Sequence, residues 1–207
     1  MDGQEKEKKR IGIFSGSFDP VHKGHISFAL IAMEAASLDE VYLLPETRPR
    51  HKPSVSHISH RVGMLTLASR PYKGLRVLEL ADKQFSVTTT LPRLRQKFPD
   101  ADLVLLLGSD AVLHLHAWPH VQELLKHVGL VVAVRSEAEV STIMECIVRL
   151  DIPLKELHII ESFEPHIASK NIRQAIRQGK STSDVVKSVH TYAKEHWLYE
   201  SISASKE

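Results

Sequence analysis

Cysteine is almost absent: Cys146 is the only one among 207 residues. A lone cysteine cannot close an internal disulfide, which points to a reducing compartment. It lies in the run TIMECIVRL and reads as a packing residue rather than a nucleophile. Charge of one sign is also scarce. The 27 basic and 25 acidic side chains leave a formal net charge of +2. No overall field steers this chain toward nucleic acid or a membrane surface, so any phosphate binding must come from local placement. No apolar run approaches the roughly 20 residues of a membrane helix. The opening MDGQEKEKKR has no apolar h-region of a signal peptide. Repeats, low-complexity stretches and a dividing linker are missing too. The expectation is a soluble, cytoplasmic protein with one domain over 1–207, a flexible leader over 1–10 and a C-terminal helical part over 165–199.

What is present is enough apolar material for a core, 43% of residues. Short apolar runs at 11–15, 41–45, 75–80, 102–108, 129–135 and 157–161 predict six strands. Helical spacing predicts helices over 22–36, 61–69, 90–98, 121–127, 137–150, 169–178 and 183–196. Strands apolar on both faces belong in parallel sheets covered by helices. The alternation predicts an α/β, doubly wound, mostly parallel six-stranded sheet with helices on both faces.

The most informative stretch is GSFDPVHKGH, which ends the first strand and opens the first helix. Ligands of such sheets bind at the carboxyl ends of strands, near the point where strand order reverses. Gly16 allows close backbone approach. The helix start favours anions. His22 and His25, three apart, point the same way at the first turn, and Gly24 between them leaves room. Two such imidazoles suit donation to phosphate oxygens. Ordinary surface histidines are the plain alternative. A metal pair is the other, although no cysteine or carboxylate completes a ligand set.

The whole string resembles the HxGH signature of the HxGH nucleotidyltransferase superfamily, as His22-Lys23-Gly24-His25 with Gly16-Ser17-Phe18-Asp19-Pro20 before it. That superfamily has a second motif, ISxxxIR, which Ile167-Ala168-Ser169-Lys170-Asn171-Ile172-Arg173 resembles. Ala168 departs from it in place of a serine. Ser169 is placed to cap a helix, and Arg173, one turn in, to offer a planar fork to a triphosphate; alone it would read as a surface arginine. Gly108-Ser109-Asp110 with Trp118 and the following leucines is similar to the nicotinate or nicotinamide mononucleotide adenylyltransferases. So are Arg50-His51-Lys52, His60-Arg61, and the stretch from Val189 to Tyr199.

The resemblance implies a Rossmann-like nucleotidyltransferase fold. It also implies AMP transfer from ATP, with Mg²⁺ bound alongside it, to a pyridine mononucleotide in NAD biosynthesis. His22, His25 and Arg173 would act on phosphates. Gly16, Ser17, Phe18, Gly24, Gly108, Asp110, Ser169, Lys170 and Asn171 would bind ATP. Lys52, Thr88, Thr89 and Trp118 would bind the mononucleotide, the tryptophan by stacking on the pyridine. No protein metal ligands are implied, and a homo-oligomer is compatible. Thr89 takes a place where the family often carries an acid; Thr88 and Thr89 also suit a helix N-cap. Trp118 reads otherwise as a core residue. Three other readings stand beside this one. One is an adenylyltransferase for another acceptor such as phosphopantetheine. Another is a nucleotide-binding module without turnover. The third is a metal-dependent hydrolase using His114, His116 and His120 among 13 histidines.

Overall fold

The computed structural model describes residues 8–50, 52, 54–161, 164 and 166–200. Residues 1–7 of the expected leader, together with His51 and Pro165, lie outside the described residues. Six strands form the sheet: β1 (Arg10–Gly16), β2 (Glu40–Pro45), β3 (Leu75–Val77), β4 (Asp102–Gly108), β5 (Gly129–Val134) and β6 (Leu157–Glu161). Their spatial order is β3-β2-β1-β4-β5-β6, and every pairing is parallel. This is the doubly wound order, reversing direction between β1 and β4, where α/β sheets leave a crevice at the strand ends.

Alternation along the strands sorts side chains into two cores. Phe14, Val41, Leu43, Val104, Leu106 and Val131 face one side. There they meet α1 (Lys23–Ala35), α2 (Ile58–Ser69), α7 (Ser169–Arg177) and α8 (Lys187–Glu195). Ile11, Ile13, Leu103, Leu105, Leu107, Leu130 and Val132 face the other. Their partners are α3 (Thr90–Lys97), α4 (Ser109–Leu113), α5 (Val121–His127) and α6 (Glu137–Val148). After β6 the chain recrosses to the first face, which brings α7 beside α1.

Several boundaries differ from expectation. The strand expected over 75–80 stops at Val77; Leu78 still donates to Leu43 O at 3.0 Å, and the chain then turns away from the sheet. Arg10, assigned to the leader, already pairs with Asp102 in β4. The second helix starts at Ile58, with the His57 ring accepting from the Ser59 amide. Residues 109–113 form a short helix that apolar spacing did not reveal, followed by a 3-10 turn at Leu115–Ala117. Cys146 is only half-buried, because Ile143 and Ile147 form the inward stripe of α6. β6 is half-buried along most of its length, as an edge strand, unlike the fully covered β4.

Leu106 is fully buried at the middle of β4. Leu106→Ala should cost about 3 kcal/mol through lost burial and a residual cavity, read as a lower urea midpoint with an unchanged slope.

Candidate active site

A cleft of about 690 Å³ opens at the carboxyl edge of β1, β4 and β5. Volumes of several hundred Å³ suit a nucleotide-sized ligand. The ends of those strands line it together with the start of α1 and the start of α7: His22, Gly24, His25, Lys52, Gly108, Asp110, Ser169, Lys170 and Arg173 are all on its wall.

His22 occupies the N-cap position of α1 in extended backbone, and His25 sits one turn in. Their rings stack with centroids 3.6 Å apart and planes 24° apart. Gly24 makes this stack fit, since a Cβ there would lie 3.1 Å from His22 Nδ1. Behind His25, the Phe18 ring meets it edge-on at 5.0 Å. Phe18 is fully buried, turned inward by a left-handed backbone at φ 47°. A Cβ on Gly16 would crowd that ring at 3.2 Å. Gly16 and Phe18, expected at ATP, pack behind His25, and neither is on the wall of the cleft.

Burial pushes the His22 pKa down to about 4, with Lys52 lowering it further and Asp184 opposing. Burial also holds His25 well below the usual imidazole range, helped by His22 and Lys52. Both rings are neutral at pH 7. The His22 amide donates to His25 Nδ1 at 3.2 Å, so the neutral His25 ring keeps its proton on Nε2, free to serve as a donor. His22 Nδ1 is buried and has no hydrogen-bond partner among the described residues.

The facing wall is cationic. Arg173 Nη1 donates to the Asp19 carbonyl at 2.7 Å. Lys52 Nζ donates to Ser17 Oγ at 2.6 Å; burial and then the neighbouring Arg173 charge hold its pKa below the ordinary lysine value. An anion entering here would relieve that repulsion. Ser169 does not cap α7. Ala168 holds the N-cap position, and the Ser169 hydroxyl donates to Pro20 O at 3.0 Å, tying α7 to the first loop. The Asn171 amide is already bonded to Ala168 O, and Asn171 does not line the cleft. Ser169 and Lys170, in the first turn, precede any intrahelical acceptor.

Asp110 is paired with Arg135, whose Nη2 donates to it at 2.6 Å. Arg135, at the end of β5, lines the cleft and escaped the sequence reading; only its place after a buried strand marked it. Asp19 and Arg61 were named in the sequence only as members of motifs, with no role given to either. Arg61 is fully buried and donates to the carbonyls of Ser17, Glu46, Thr47 and Ser56. The pattern GSFDP contained Asp19, but nothing local showed that its carboxylate would be buried.

A second cluster lies apart from these residues. Trp118 is half-buried beside Phe85, ring centroids 5.8 Å apart, with the Arg50 guanidinium 5.5 Å from its own centroid. Thr88 and Thr89 are exposed in the same segment as Phe85. Thr89 sits at the N-cap of α3 without a side-chain capping bond, and Thr90 accepts the Ser86 amide instead. Neither Trp118 nor the two threonines line the main cleft. His114, His116 and His120 are exposed. Among the described residues no three His, Cys, Asp or Glu side chains gather around a common point.

Strand order, the loop after β1 and the α7 start together define a nucleotide-handling α/β enzyme class. The chain belongs to the cytidylyltransferase-like family, whose model matches residues 13–196. Its relatives include nicotinate-nucleotide adenylyltransferases. The Bacillus subtilis enzyme of that name is 32% identical over 199 residues, covering 93% of this chain and 100% of its own. A probable nicotinate-nucleotide adenylyltransferase of Streptococcus mutans is 32% identical over 203 residues, covering 95% and 91%. The solved Plasmodium falciparum nicotinic acid mononucleotide adenylyltransferase complexed with NaAD shares the fold, at TM-score 0.75 and 18% identity, over 92% of this chain and 97% of that one.

The depressed imidazole sets a stability window. His22 titrates near 6.5 unfolded and near 4 folded. Between those values the unfolded chain holds more protons, so stability rises with pH there. The contribution is complete above about 6.5 and is lost as pH falls toward the folded value. Urea midpoints from pH 7.5 to 4.5 should fall more steeply for the wild type than for His22→Asn; parallel curves would contradict the burial of a neutral ring.

Proposed function

We propose that this protein is a nicotinate-nucleotide adenylyltransferase, joining the AMP part of ATP to nicotinate mononucleotide and releasing pyrophosphate. The observation that carries the reading is the stacked, neutral pair His22 and His25 on the floor of a cleft whose other wall is Arg173, Lys52 and Lys170. The extent of the likeness to the Bacillus subtilis enzyme supports the choice of acceptor.

The chemistry follows from these groups. A phosphate oxygen of the mononucleotide attacks the α-phosphorus of ATP; a new P–O bond forms as the bond to the β-phosphate oxygen breaks, and pyrophosphate leaves. The attacking oxygen is already anionic, so no protein nucleophile or base is required. The protein contributes position and charge stabilisation. His25, through Nε2–H, donates to the transferring phosphate as negative charge spreads over its oxygens, with His22 beside it. Arg173 and the Ser169 and Lys170 amides hold the β- and γ-phosphates. Lys52 holds the acceptor's phosphate. The ATP base and ribose lie along Gly108 and Asp110, where Arg135 must exchange its Asp110 contact for nucleotide. The pyridine takes the place of the Arg50 guanidinium over Trp118, beside Thr88 and Thr89.

Mg²⁺ is expected with ATP. Asp19, the carboxylate buried in the cleft wall, has both oxygens engaged by Tyr199 and Ser56. With no clustered ligand set among the described residues, the site fits a metal held by phosphates and its own waters. When bound, it neutralises phosphate charge.

The test is incubation with ATP and Mg²⁺ and each of nicotinate mononucleotide, nicotinamide mononucleotide and phosphopantetheine, measuring pyrophosphate and product mass. Turnover with the pyridine mononucleotides is expected. Turnover only with phosphopantetheine, or ATP binding without pyrophosphate, would overturn the reading. His25→Ala should lower kcat on the order of a hundredfold or more while circular dichroism stays native. Trp118→Ala should raise KM for the mononucleotide about tenfold with kcat little changed; an unaltered KM would return Trp118 to a purely structural role.

A further inference from the structure

We infer that Tyr199, at the far end of the described chain, is a positioning residue for Arg173, acting through the buried carboxylate of Asp19. The inference rests on the reading of the cleft as the ATP site.

Asp19 is only 3% exposed, and all three of its oxygens are engaged. Oδ1 accepts the Tyr199 hydroxyl at 2.7 Å, and Oδ2 accepts the Ser56 amide at 3.2 Å. Its carbonyl accepts Arg173 Nη1 at 2.7 Å. The same residue therefore carries a buried carboxylate and supports the guanidinium that faces the phosphates. A buried carboxylate stays in place only while its donors do. If the turn at Asp19 rotates, its carbonyl moves, and the arginine resting on it moves too.

Tyr199 is held for this contact at some cost. Its backbone lies in the left-handed region at φ 67°, as does that of Trp197 at φ 54°, a conformation bulky residues adopt only when their surroundings impose it. The Leu198 amide donates to Ala193 O at 2.8 Å, and Arg177 Nε donates to the Tyr199 carbonyl at 3.1 Å. The terminal segment is thus fastened to α8 on one side and to α7, the helix bearing Arg173, on the other. Packing against the α1/α2 core requires only the ring, which phenylalanine would supply. The hydroxyl serves Asp19 and the adjoining Ser56, whose amide holds the other oxygen of the same carboxylate. Burial pushes the phenol pKa upward, so the group remains a donor across the working pH range.

The test is steady-state kinetics with ATP, Mg²⁺ and nicotinate mononucleotide on wild type, Tyr199→Phe, Arg173→Lys and the double variant. Tyr199→Phe should lower kcat on the order of tenfold, since small misplacements of a positioning group cost that much or more. KM for ATP should rise, and KM for the mononucleotide should stay within about twofold. In the Arg173→Lys background the same substitution should have almost no further effect, because both act on one interaction. Unchanged kinetics in Tyr199→Phe, or effects that simply multiply in the double variant, would overturn the inference. Should Tyr199→Phe fail to fold, Arg177→Ala loosens the same segment with the hydroxyl in place; a lower kcat with an unaltered mononucleotide KM supports the tie, and wild-type kinetics overturn it. A wild type that releases no pyrophosphate would remove the activity reading alone, and the same cycle on ATP affinity would still decide the tie.

Discussion

The segment from Ser17 to Val21 has no helix or strand of its own, yet it must hold His22 and Asp19 in fixed places. Buried charge does the holding. The Arg61 guanidinium, fully enclosed, takes the carbonyls of Ser17, Glu46, Thr47 and Ser56 as acceptors and so gathers the β1–α1 and β2–α2 loops around one point. Asp19, nearly enclosed, draws its donors from Ser56 and Tyr199. Buried charges are expensive unless fully partnered, and that cost makes loose arrangements of these loops unfavourable. The rest of the site inherits its geometry from them.

The rigid loop in turn permits an unusual treatment of the histidines. Burial, with a lysine beside the stacked rings, holds both imidazoles below their ordinary range, so both are neutral at pH 7. Neutral imidazoles donate without repelling the cations across the cleft. The positive field in the cleft therefore comes from Arg173, Lys52 and Lys170 rather than from the imidazoles. A net charge of +2 is compatible with a strongly polarised cleft because the polarity is local.

Much of this was legible in the sequence. Strands such as DLVLLLG and GLVVAVR, apolar at successive positions, can only be covered on both faces, which makes the sheet parallel and doubly wound. His22, His25, Ser169, Lys170 and Arg173 were marked by two motifs, and the structure brings them to one cleft. What stayed hidden depended on contacts between distant segments. The motif contains Phe18 and Gly16, but their packing behind His25 depends on a backbone turn with no local signature. Ser169 looked like a cap, but Ala168 holds the N-cap position and the Ser169 hydroxyl donates to Pro20 O, 149 residues away. Arg61 and Tyr199 sit 44 and 180 residues from their partners Ser17 and Asp19, distances no periodicity spans. Helix 109–113 was missed because five residues are too few for a period of 3.6 to declare itself.

The central claim is that two neutral imidazoles at the β1–α1 junction receive the phosphates of ATP. Nitrogen-15 NMR of the histidine rings at pH 7, without and with a non-hydrolysable ATP analogue and Mg²⁺, addresses it directly. The expected result is two neutral rings in the free protein, His25 carrying its proton on Nε2, and large shifts of both on nucleotide addition. Rings already protonated in the free protein, or signals that stay still when nucleotide binds, would contradict it.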